Sequence, residues 1–216
     1  MEPLTFALPK GRLQDEVLDL LAEAGYPTDA DVGRRLVFED RSGTLRFVMA
    51  KPSDVPTYVE YGAAALGAVG LDVLREGNWD VLEPLGLNVG VCRLSLAGPV
   101  EWRGRNLRLQ PGLRVASKYP RLAHDYFQAQ GIAAEIIYLD GSVELAPAVG
   151  LADLLVDMVQ SGRTLTENGL AELQTILPSE AVLIVNRAAH KMQFARIEAI
   201  VDRLAAVVAR RKGVVA

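Results

Sequence analysis

Short apolar segments alternate with amphipathic ones along most of this chain, and this alternation limits the fold more than any other feature. Residues 4–8 form an apolar run typical of a buried strand, and the apolar residues of 13–24 recur at helical spacing. A predicted strand followed by a predicted helix occurs again at 113–117 and 120–130. Repeated strand–helix units assemble into mostly parallel sheets covered by helices. The sequence therefore predicts an α/β protein.

The remaining elements are expected from the same patterns. Ser53 is placed to cap a helix that runs to residue 61, and Gly70 to begin a helical turn. Residues 97–111 are polar and rich in turn formers, which predicts a surface excursion. Further strands are expected at 35–39, 45–50, 64–69 and 135–139, on both sides of Gly86 within 81–96, and as one or two strands within 171–185. Further helices are expected at 147–151, 164–169 and 188–211.

Two lobes are expected, because strand–helix units lie on both sides of residues 97–111 in a chain of 216 residues. The chain would cross between the lobes near Gly90 and again near Ile176. The first lobe would then contain residues 1–90 and 176–216, and the second residues 91–175. Ligands of open α/β sheets bind outside the carboxyl ends of the strands, so these ends are expected to face a shared cleft.

Composition argues against several classes of function. The net charge of −4 disfavours a nucleic-acid-binding surface, since such domains are usually basic. No segment approaches the ~18 uninterrupted apolar residues of a membrane span, and the apolar part of the N-terminus is short for a signal peptide. Cys92 is the only cysteine, so no intrachain disulfide can form. We expect a cytoplasmic protein that binds neither nucleic acid nor membrane.

The most informative stretch is an apolar run that begins at residue 154 and ends in Ser161, Gly162, Arg163 and Thr164. Gly162 allows a tight turn and the close approach of a ligand, and the N–H groups of a helix start favour an anion. Asp157 lies upstream on the same run, where its carboxylate can accept hydrogen bonds from hydroxyl groups. Phosphate and hydroxyl sites together predict a ribose 5-phosphate ligand. A turn without a ligand is the alternative that these residues alone leave open.

Cations and glycines recur where other predicted strands end. A solvated surface loop would explain any one of these positions, but their repetition at strand ends favours one binding region. The positions that follow a predicted strand directly are Lys10, Gly11, Arg12, Lys51 and Gly70. Glu144 lies in the loop after the predicted strand 135–139.

Five segments, taken in order, resemble a known family. They read LPKGRL at 8–13, SDVPTYVE at 53–60, GSVELAP at 141–147, GLAD at 150–153 and VDMVQSGRTLTENGL at 156–170. This order is similar to that of ATP phosphoribosyltransferase, the first enzyme of histidine biosynthesis. The resemblance extends from about residue 4 to residue 186, which is nearly the whole chain.

The resemblance implies two α/β lobes like those of type II periplasmic binding proteins, with the substrates bound between them. It implies transfer of the 5-phosphoribosyl group of phosphoribosyl pyrophosphate (PRPP) to N1 of the adenine of ATP, with release of pyrophosphate and a requirement for Mg²⁺. The chain resembles the short form of the family, which works with a separate regulatory subunit similar to histidyl-tRNA synthetase. A homo-oligomer, at least a dimer, is also expected, because the family forms oligomers and helix 188–211 carries an apolar stripe of Ile197, Ile200, Val201, Leu204 and Val208.

The resemblance also implies roles for particular residues. The loop 161–164, called the phosphate loop below, would bind the 5-phosphate, and Asp157 would bind the ribose hydroxyl groups. Asp153 would lie on the same face of the strand as Asp157, because four positions is an even step. The PRPP-binding residues are then Asp153, Asp157, Ser161, Gly162, Arg163 and Thr164. Nucleotide binding is assigned to Lys10, Gly11, Lys51 and Gly70, and catalysis to Lys10, Arg12 and Glu144.

Both substrates are polyphosphates, so they require concentrated positive charge within an acidic protein. The candidate cations are Lys10, Arg12, Lys51 and Arg163, with Arg35 as a weaker fifth. Glu144 would contact the ribose, Mg²⁺ or the adenine amino group, and no metal ligand is assigned. His124 and His190 lie in or near predicted helices, and both are interpreted as structural or surface residues.

Three positions depart from the family pattern and concern the nucleotide side of the site. Ala65 stands where an acid is usual, Leu71 where Lys or Glu is often found, and Lys51 where Arg is more familiar. Lys51 offers a point charge in place of a planar fork, which weakens a bidentate phosphate contact.

Three other functions fit parts of the pattern. A two-lobed solute sensor without catalysis would share the fold but would leave the Ser-Gly-Arg-Thr loop and Asp157 unexplained. A phosphoribosyltransferase of the other common fold usually has two adjacent acids, whereas Asp157 is followed by Met158. The third alternative is a catalytically weak subunit that mainly serves the regulatory protein.

Overall fold

A computed structural model describes residues 2–29 and 35–214 of the chain. They form two compact units, each with its own sheet. The first unit contains the chain up to Gly90 and from Glu180 onward, and the second is Val91–Ser179. The expected return near Ile176 falls inside a strand that continues to Ser179, so the chain re-enters the first unit only at Glu180.

Strands and helices alternate along most of the chain. The strands are β1 (Leu4–Pro9), β2 (Val37–Glu39), β3 (Leu45–Ala50), β4 (Leu66–Gly70), β5 (Val81–Gly86), β6 (Cys92–Pro99), β7 (Leu113–Ser117), β8 (Ala134–Tyr138), β9 (Leu154–Val159), β10 (Leu170–Ser179) and β11 (Ala181–Asn186). The helices are α1 (Arg12–Glu23), α2 (Val55–Glu60), α3 (Leu71–Glu76), α4 (Pro120–Ala129), α5 (Leu145–Ala148), α6 (Arg163–Glu167), α7 (Arg187–Met192) and α8 (Phe194–Val214). None of the helices in the described ranges has the length and apolar character that crossing a bilayer requires.

The sheet of the first unit has its strands in the order β2-β3-β1-β4-β11-β5. β1 pairs in parallel with both β3 and β4, so that Phe6 lies beside Phe47 on one side and Leu66 on the other. β2 is antiparallel to β3, and β11 is antiparallel to β4 and to β5. The carboxyl ends of β3, β1 and β4 therefore lie side by side at one edge of this sheet.

Helices cover both faces of the first sheet. On one face α1 and α8 pack against Phe6 and Phe47 through buried apolar side chains, among them Leu20, Leu21 and Leu204. On the other face α2 and α3 form a second core, which contains Val55, Val59 and Leu74. The helical spacing of the apolar residues in 13–24 thus identifies the buried side of α1 correctly.

The apolar stripe near the C-terminus belongs to the first of these cores. Ile197, Ile200, Leu204 and Val208 are each exposed by 4% or less and pack in the same cluster as the first sheet. The stripe is therefore used within the chain, and the argument for a dimer that rests on it is wrong. The predicted helix 188–211 is also two helices, because Gln193 leaves the helical conformation between α7 and α8, with φ −128° and ψ 33°.

The sheet of the second unit has its strands in the order β10-β6-β9-β7-β8. β7 is parallel to β8 and β9, whereas β6 lies antiparallel between β9 and β10. Phe127 of α4 packs on one face, and Ala146 of α5 and Leu165 of α6 pack on the other. Both sheets carry helices on both faces, which confirms the predicted α/β class. Each sheet is mixed, however, because only the pairs β1–β3 and β1–β4 in the first sheet and β7–β8 and β7–β9 in the second are parallel. The prediction of mostly parallel sheets is therefore wrong for the strand pairs added by β2, β5, β6, β10 and β11.

Three local predictions are wrong. Asp54, not Ser53, occupies the N-cap position of α2, and the Ser53 hydroxyl donates to the Asp54 carboxylate at 3.0 Å. The excursion expected from residue 97 begins later, because Ala97 continues β6 and pairs with Leu155 of β9. The short helix expected at 147–151 is α5, which begins at Leu145.

Candidate active site

Four cationic residues meet at one edge of the first sheet. Lys10 and Arg12 follow β1 and Lys51 follows β3, and all three are exposed. Arg35 reaches the same edge from the other direction, because β2 is antiparallel to β3 and the Leu36 carbonyl accepts a hydrogen bond from the Met49 N–H at 2.8 Å. The structure thus brings together four of the five cations that the sequence nominates for phosphate binding.

Gly11 sets the direction in which the chain leaves β1. Its φ of 95° and ψ of −150° lie in a region that is essentially restricted to glycine. Gly11 is the N-cap residue of α1, and its carbonyl accepts a hydrogen bond from the Gln14 N–H at 3.0 Å. A side chain at this position would strain the turn that separates Lys10 from Arg12.

Gly70 ends β4 at the same edge, but it is buried. A Cβ added there would lie 2.3 Å from Oδ1 of Asp72, so close packing against this carboxylate requires the glycine. Leu71 follows directly as the first residue of α3. Ala65 lies before β4, at the opposite edge, where its N–H donates to the Thr5 carbonyl at 2.8 Å. Of these two departures from the family pattern, only Leu71 lies beside the cationic edge.

The predicted phosphate loop has the expected strand–turn–helix structure. β9 ends at Val159, and α6 begins at Arg163, with Gly162 as its N-cap residue in the left-handed conformation at φ 76° and ψ 1°. The Ser161 hydroxyl accepts a hydrogen bond from the Arg163 N–H at 3.4 Å. The first N–H groups of a helix have no intrahelical acceptor, so this turn presents donors suited to an anion. Thr164 is exposed in the first turn of α6.

Asp157 lies two residues before the end of β9 and is half-buried. It is directly opposite Ser95 of β6, and its carboxylate accepts a hydrogen bond from the Met158 N–H at 2.8 Å. Asp157 therefore lies near the carboxyl end of the strand that leads into the loop.

Asp153 does not join this site. It precedes β9 at the opposite edge of the sheet, about 13 Å from Asp157 at the usual rise of a strand. Its carboxylate accepts a hydrogen bond from the Arg114 N–H at 2.8 Å, and the Arg114 guanidinium lies 4.0 Å from it. An even step along a strand fixes only the face of the sheet on which Asp153 lies and not its distance from the loop.

Glu144 and Lys118 lie at the same edge of the second sheet as the loop. Glu144 occupies the N-cap position of α5 in the connection after β8, and Lys118 follows β7. Because β7 separates β9 from β8, the Glu144 connection starts roughly 10 Å from the loop. Lys118 was not among the candidates from the sequence, although it directly follows a correctly predicted strand. Its ammonium lies 3.8 Å from the Asp140 carboxylate.

An ion pair lies beside Asp157 on the second sheet. Arg93 donates hydrogen bonds to Glu172 through two guanidinium nitrogens. These bonds lower the pKa of Glu172 to about 2, with Ser95 and Thr175 acting in the same direction and burial opposing them. Glu172 is therefore a carboxylate at neutral pH and does not serve as a proton donor.

Metal-ligating side chains are not clustered in residues 2–29 and 35–214, where no group of three or more His, Cys, Asp or Glu is arranged to hold a metal ion. The two histidines lie on α4 and α7, and each lies close to the carboxylate of a nearby residue. His124 lies 3.6 Å from Asp125, and His190 lies 2.9 Å from Glu198. Neither is part of the strand-end loops that carry the candidate site.

Comparison with known proteins decides the family. The sequence model of HisG, ATP phosphoribosyltransferase, matches residues 51–206. The chain belongs to the ATP phosphoribosyltransferase family. An ATP phosphoribosyltransferase of Halalkalibacterium halodurans is 47% identical to it over 210 residues, which are 96% of this chain and 98% of that protein.

Solved structures agree with this family assignment. The ATP phosphoribosyl transferase (HisG:HisZ) complex from Thermotoga maritima contains a chain with a TM-score of 0.80 and 33% identity, and the match covers 96% of this chain and 99% of that one. The expected resemblance to the short form of the family is thereby confirmed.

The fold is also that of periplasmic binding proteins. The aliphatic sulphonate binding protein SsuA from Escherichia coli matches with a TM-score of 0.61 at 13% identity, over 99% of this chain and 75% of that one. At this identity the likeness concerns the fold alone. A sensor without catalysis is not favoured, because the family to which the chain belongs is enzymatic.

Proposed function

We propose that this ATP phosphoribosyltransferase family member transfers the 5-phosphoribosyl group of PRPP to N1 of the adenine of ATP, the first step of histidine biosynthesis. The observation that carries the proposal is the turn at Gly162, where a left-handed glycine joins a buried strand to a helix start. Asp157 stands upstream on the same strand. This turn and this acid supply the two kinds of group that a ribose 5-phosphate requires.

On the PRPP side, the backbone N–H groups and hydroxyl groups of the loop bind the 5-phosphate, and Arg163 adds a cation. Asp157 accepts hydrogen bonds from the ribose hydroxyl groups. Glu144 and Lys118 extend this set along the edge of the second sheet, towards the ribose and its pyrophosphate. The geometry supports Ser161, Gly162, Arg163 and Thr164 in this role, whereas Asp153 is withdrawn from it.

On the polyphosphate side, the cations at the edge of the first sheet bind phosphate oxygens of the substrates. Lys10 and Arg12 flank Gly11, while Lys51 and Arg35 lie on the neighbouring strand ends. Arginine supplies a planar fork and lysine a mobile point charge, so the group can follow a change in phosphate position. Gly70 contributes indirectly, because its buried position at the end of β4 allows the Asp72 carboxylate to pack closely against it.

The reaction forms a bond between C1 of the ribose and N1 of adenine, and it breaks the bond between C1 and the pyrophosphate oxygen. Glycosyl transfers of this kind build positive charge on the sugar ring. N1 uses its own lone pair, so no protein nucleophile is needed. The protein holds the sugar, neutralises the leaving group with Lys10 and Arg12, and aligns N1 with C1. Such positioning contributes roughly 7–11 kcal/mol in favourable cases.

Mg²⁺ is proposed to enter with the pyrophosphate group of PRPP. In such sites the ion is held by substrate phosphates and only one or two carboxylates, which fits a protein without a larger cluster of acids in its described residues. Glu144 is the carboxylate that we nominate. When bound, Mg²⁺ stabilises negative charge on the leaving group.

The chain is proposed to work as a homo-oligomer together with a regulatory subunit similar to histidyl-tRNA synthetase. Support comes from the Thermotoga maritima structure, which is a complex of HisG with HisZ. The cytoplasm is the proposed compartment, because ATP is supplied there.

Formation of phosphoribosyl-ATP from PRPP and ATP tests the proposed reaction. Purified chain, with and without the regulatory subunit of the same organism, should form the product in the presence of Mg²⁺, and omission of either substrate should abolish it. Binding of both substrates without product, even with the regulatory subunit present, would instead favour the catalytically weak subunit.

A further inference from the structure

Arg93 contacts the chain on both sides of the phosphate loop. Its Nη1 donates a hydrogen bond to the Gln160 carbonyl at 3.2 Å, and its Nε donates to Oε1 of Glu172 at 2.6 Å. A second bond joins Nη2 of Arg93 to Oε2 of Glu172. Gln160 precedes the loop and Glu172 follows α6, so a single side chain holds the two stems of segment 161–169.

The order of strands explains how one residue reaches both stems. β6 lies between β9 and β10, and the segment that joins these two strands contains the loop and α6. Arg93 pairs directly with Val159, so both side chains lie on the same face of the sheet. Leu165 of α6 packs in one cluster with Val159. Arg93 therefore lies on the face over which the segment 161–169 crosses.

The Glu172 carboxylate is a well-defined partner for Arg93. It also accepts hydrogen bonds from the Ser95 hydroxyl at 2.8 Å and the Thr175 hydroxyl at 3.1 Å, and Ser95 is completely buried. Glu172 and Thr175 are three positions apart and would normally face opposite sides of a strand. A register shift between Glu172 and Gln174 brings both to one side.

The same network extends to the proposed ribose-binding acid. Ser95, which donates to Glu172, lies directly opposite Asp157 in the pairing of β6 with β9. Arg93 and Glu172 are exposed by 35% and 25%, so their bond is not that of a fully solvated pair. A bidentate pair with further donors restricts both partners, whereas isolated surface pairs contribute little.

Holding the stems matters because the segment between them turns at a glycine near each end, and glycine loses more backbone entropy on ordering than other residues. Glycines with positive φ stand near its two ends, Gly162 at 76° and Gly169 at 70°. Ordering such a segment upon ligand binding costs conformational entropy, and preorganisation reduces that cost.

We propose that Arg93 is a positioning residue for the phosphate loop, and that it acts by clamping Gln160 and Glu172 so that the loop is ordered before PRPP arrives. The inference rests on the proposed binding of PRPP by this loop. Arg93 touches no substrate in this role. It is expected to affect PRPP binding and to leave ATP binding unaltered.

The test compares Arg93→Met and Arg93→Lys with the wild-type chain. In Arg93→Met, hydrogen–deuterium exchange of peptides from 161–169 should become faster without ligand, and the Kd and KM of PRPP should rise roughly 10- to 100-fold. The KM of ATP should not change. Arg93→Lys should restore part of the PRPP affinity, since an ammonium group reaches one acceptor but does not form the fork.

Arg75→Met is the matched control. Arg75 forms a fork with Glu83 of the same kind, with two bonds of 2.8 Å in the first unit. Arg75→Met should leave both the hydrogen–deuterium exchange of 161–169 and the PRPP affinity at wild-type values. If Arg93→Met does not fold, Glu172→Gln tests the clamp with a side chain of equal size and should raise exchange and the PRPP Kd in the same direction.

Unchanged loop exchange and unchanged PRPP affinity in a folded Arg93→Met or Glu172→Gln variant would overturn the role of Arg93. Gly162→Val separates this outcome from failure of the proposed site. Wild-type PRPP affinity in Gly162→Val would remove PRPP from the loop altogether. Loss of affinity there, combined with no effect at Arg93, would leave the site in place and refute the clamp alone.

Discussion

The backbone N–H of Lys10 donates a hydrogen bond of 2.8 Å to the carbonyl oxygen of Ala50. This bond continues the parallel pairing of β1 with β3 by one residue beyond Pro9. It sets Lys10 beside Lys51, the residue that follows Ala50. Two chain segments that are distant in sequence thereby present their cations at one point of the first sheet.

Replacing these lysines should affect catalysis more than stability, because both are exposed. Lys10→Ala should lower kcat/KM by about 10²-fold, as expected for loss of one charged donor at a developing negative charge. Lys51→Arg should raise the affinity for polyphosphate, because a guanidinium binds phosphate oxygens in a bidentate manner. Steady-state kinetics with both substrates measure these effects. Lys212→Ala, at the exposed end of α8, is the control.

Two glycines of the loop segment should separate ligand binding from backbone strain. Gly162 and Gly169 both have positive φ, and a Cβ would meet only Val159 at 3.9 Å in the first case and no atom within 4 Å in the second. Val at either position should cost about 1–3 kcal/mol of stability through strain. Only Gly162→Val should abolish PRPP binding, measured by titration calorimetry. Equal PRPP binding by the two variants would contradict the loop assignment.

Asp157 on β9 and Asp153, which directly precedes β9, provide another matched pair of variants. Asp157→Asn should lower kcat/KM for PRPP by about tenfold or more, because an amide is a weaker acceptor for the ribose hydroxyl groups than a carboxylate. Asp153→Asn should have wild-type kinetics, since it lies at the other edge and its amide oxygen can still accept from Arg114. A kinetic effect of Asp153→Asn equal to that of Asp157→Asn would contradict the exclusion of Asp153 from the site on the basis of its position at the opposite edge.

Glu172 should make stability depend on pH. Its pKa in the folded chain is about 2, below the ordinary value of 4.5, so its contribution is complete above about pH 4.5 and is lost as the pH falls towards 2. Glu172→Gln should therefore lower the free energy of unfolding at pH 7 by about 1–2 kcal/mol. Urea denaturation at several pH values measures the difference from wild type, which should shrink below pH 4.5. A difference that persists unchanged near pH 2 would mean that the charge is not its source.

Local structure was largely predictable from the sequence. The apolar run before Ser161 predicts β9, and the left-handed Gly162 follows from a glycine placed between a strand and a helix start. Lys10 and Lys51 each follow a strand that the sequence predicts, and parallel pairing places such strand ends together. These inferences succeed because periodicity and turn chemistry depend on neighbouring residues.

Other features depend on contacts between distant residues. Asp153 was assigned to the site from its face on the strand, but the direction of β9 places it at the wrong edge. The apolar stripe of α8 suggested a dimer, but the first sheet covers it. Periodicity shows that a face is buried and does not identify the partner that buries it.

The sequence by itself determined the α/β class, the glycine turn after β9 and, through the order of its motifs, the family. Only the tertiary structure decided that Arg93 of β6 and Glu172 of β10, 79 positions apart, form an ion pair. The physical reason is that strand order, register and the shift near Glu172 arise from pairing between segments far apart in the chain. No local pattern of residues encodes such a pairing.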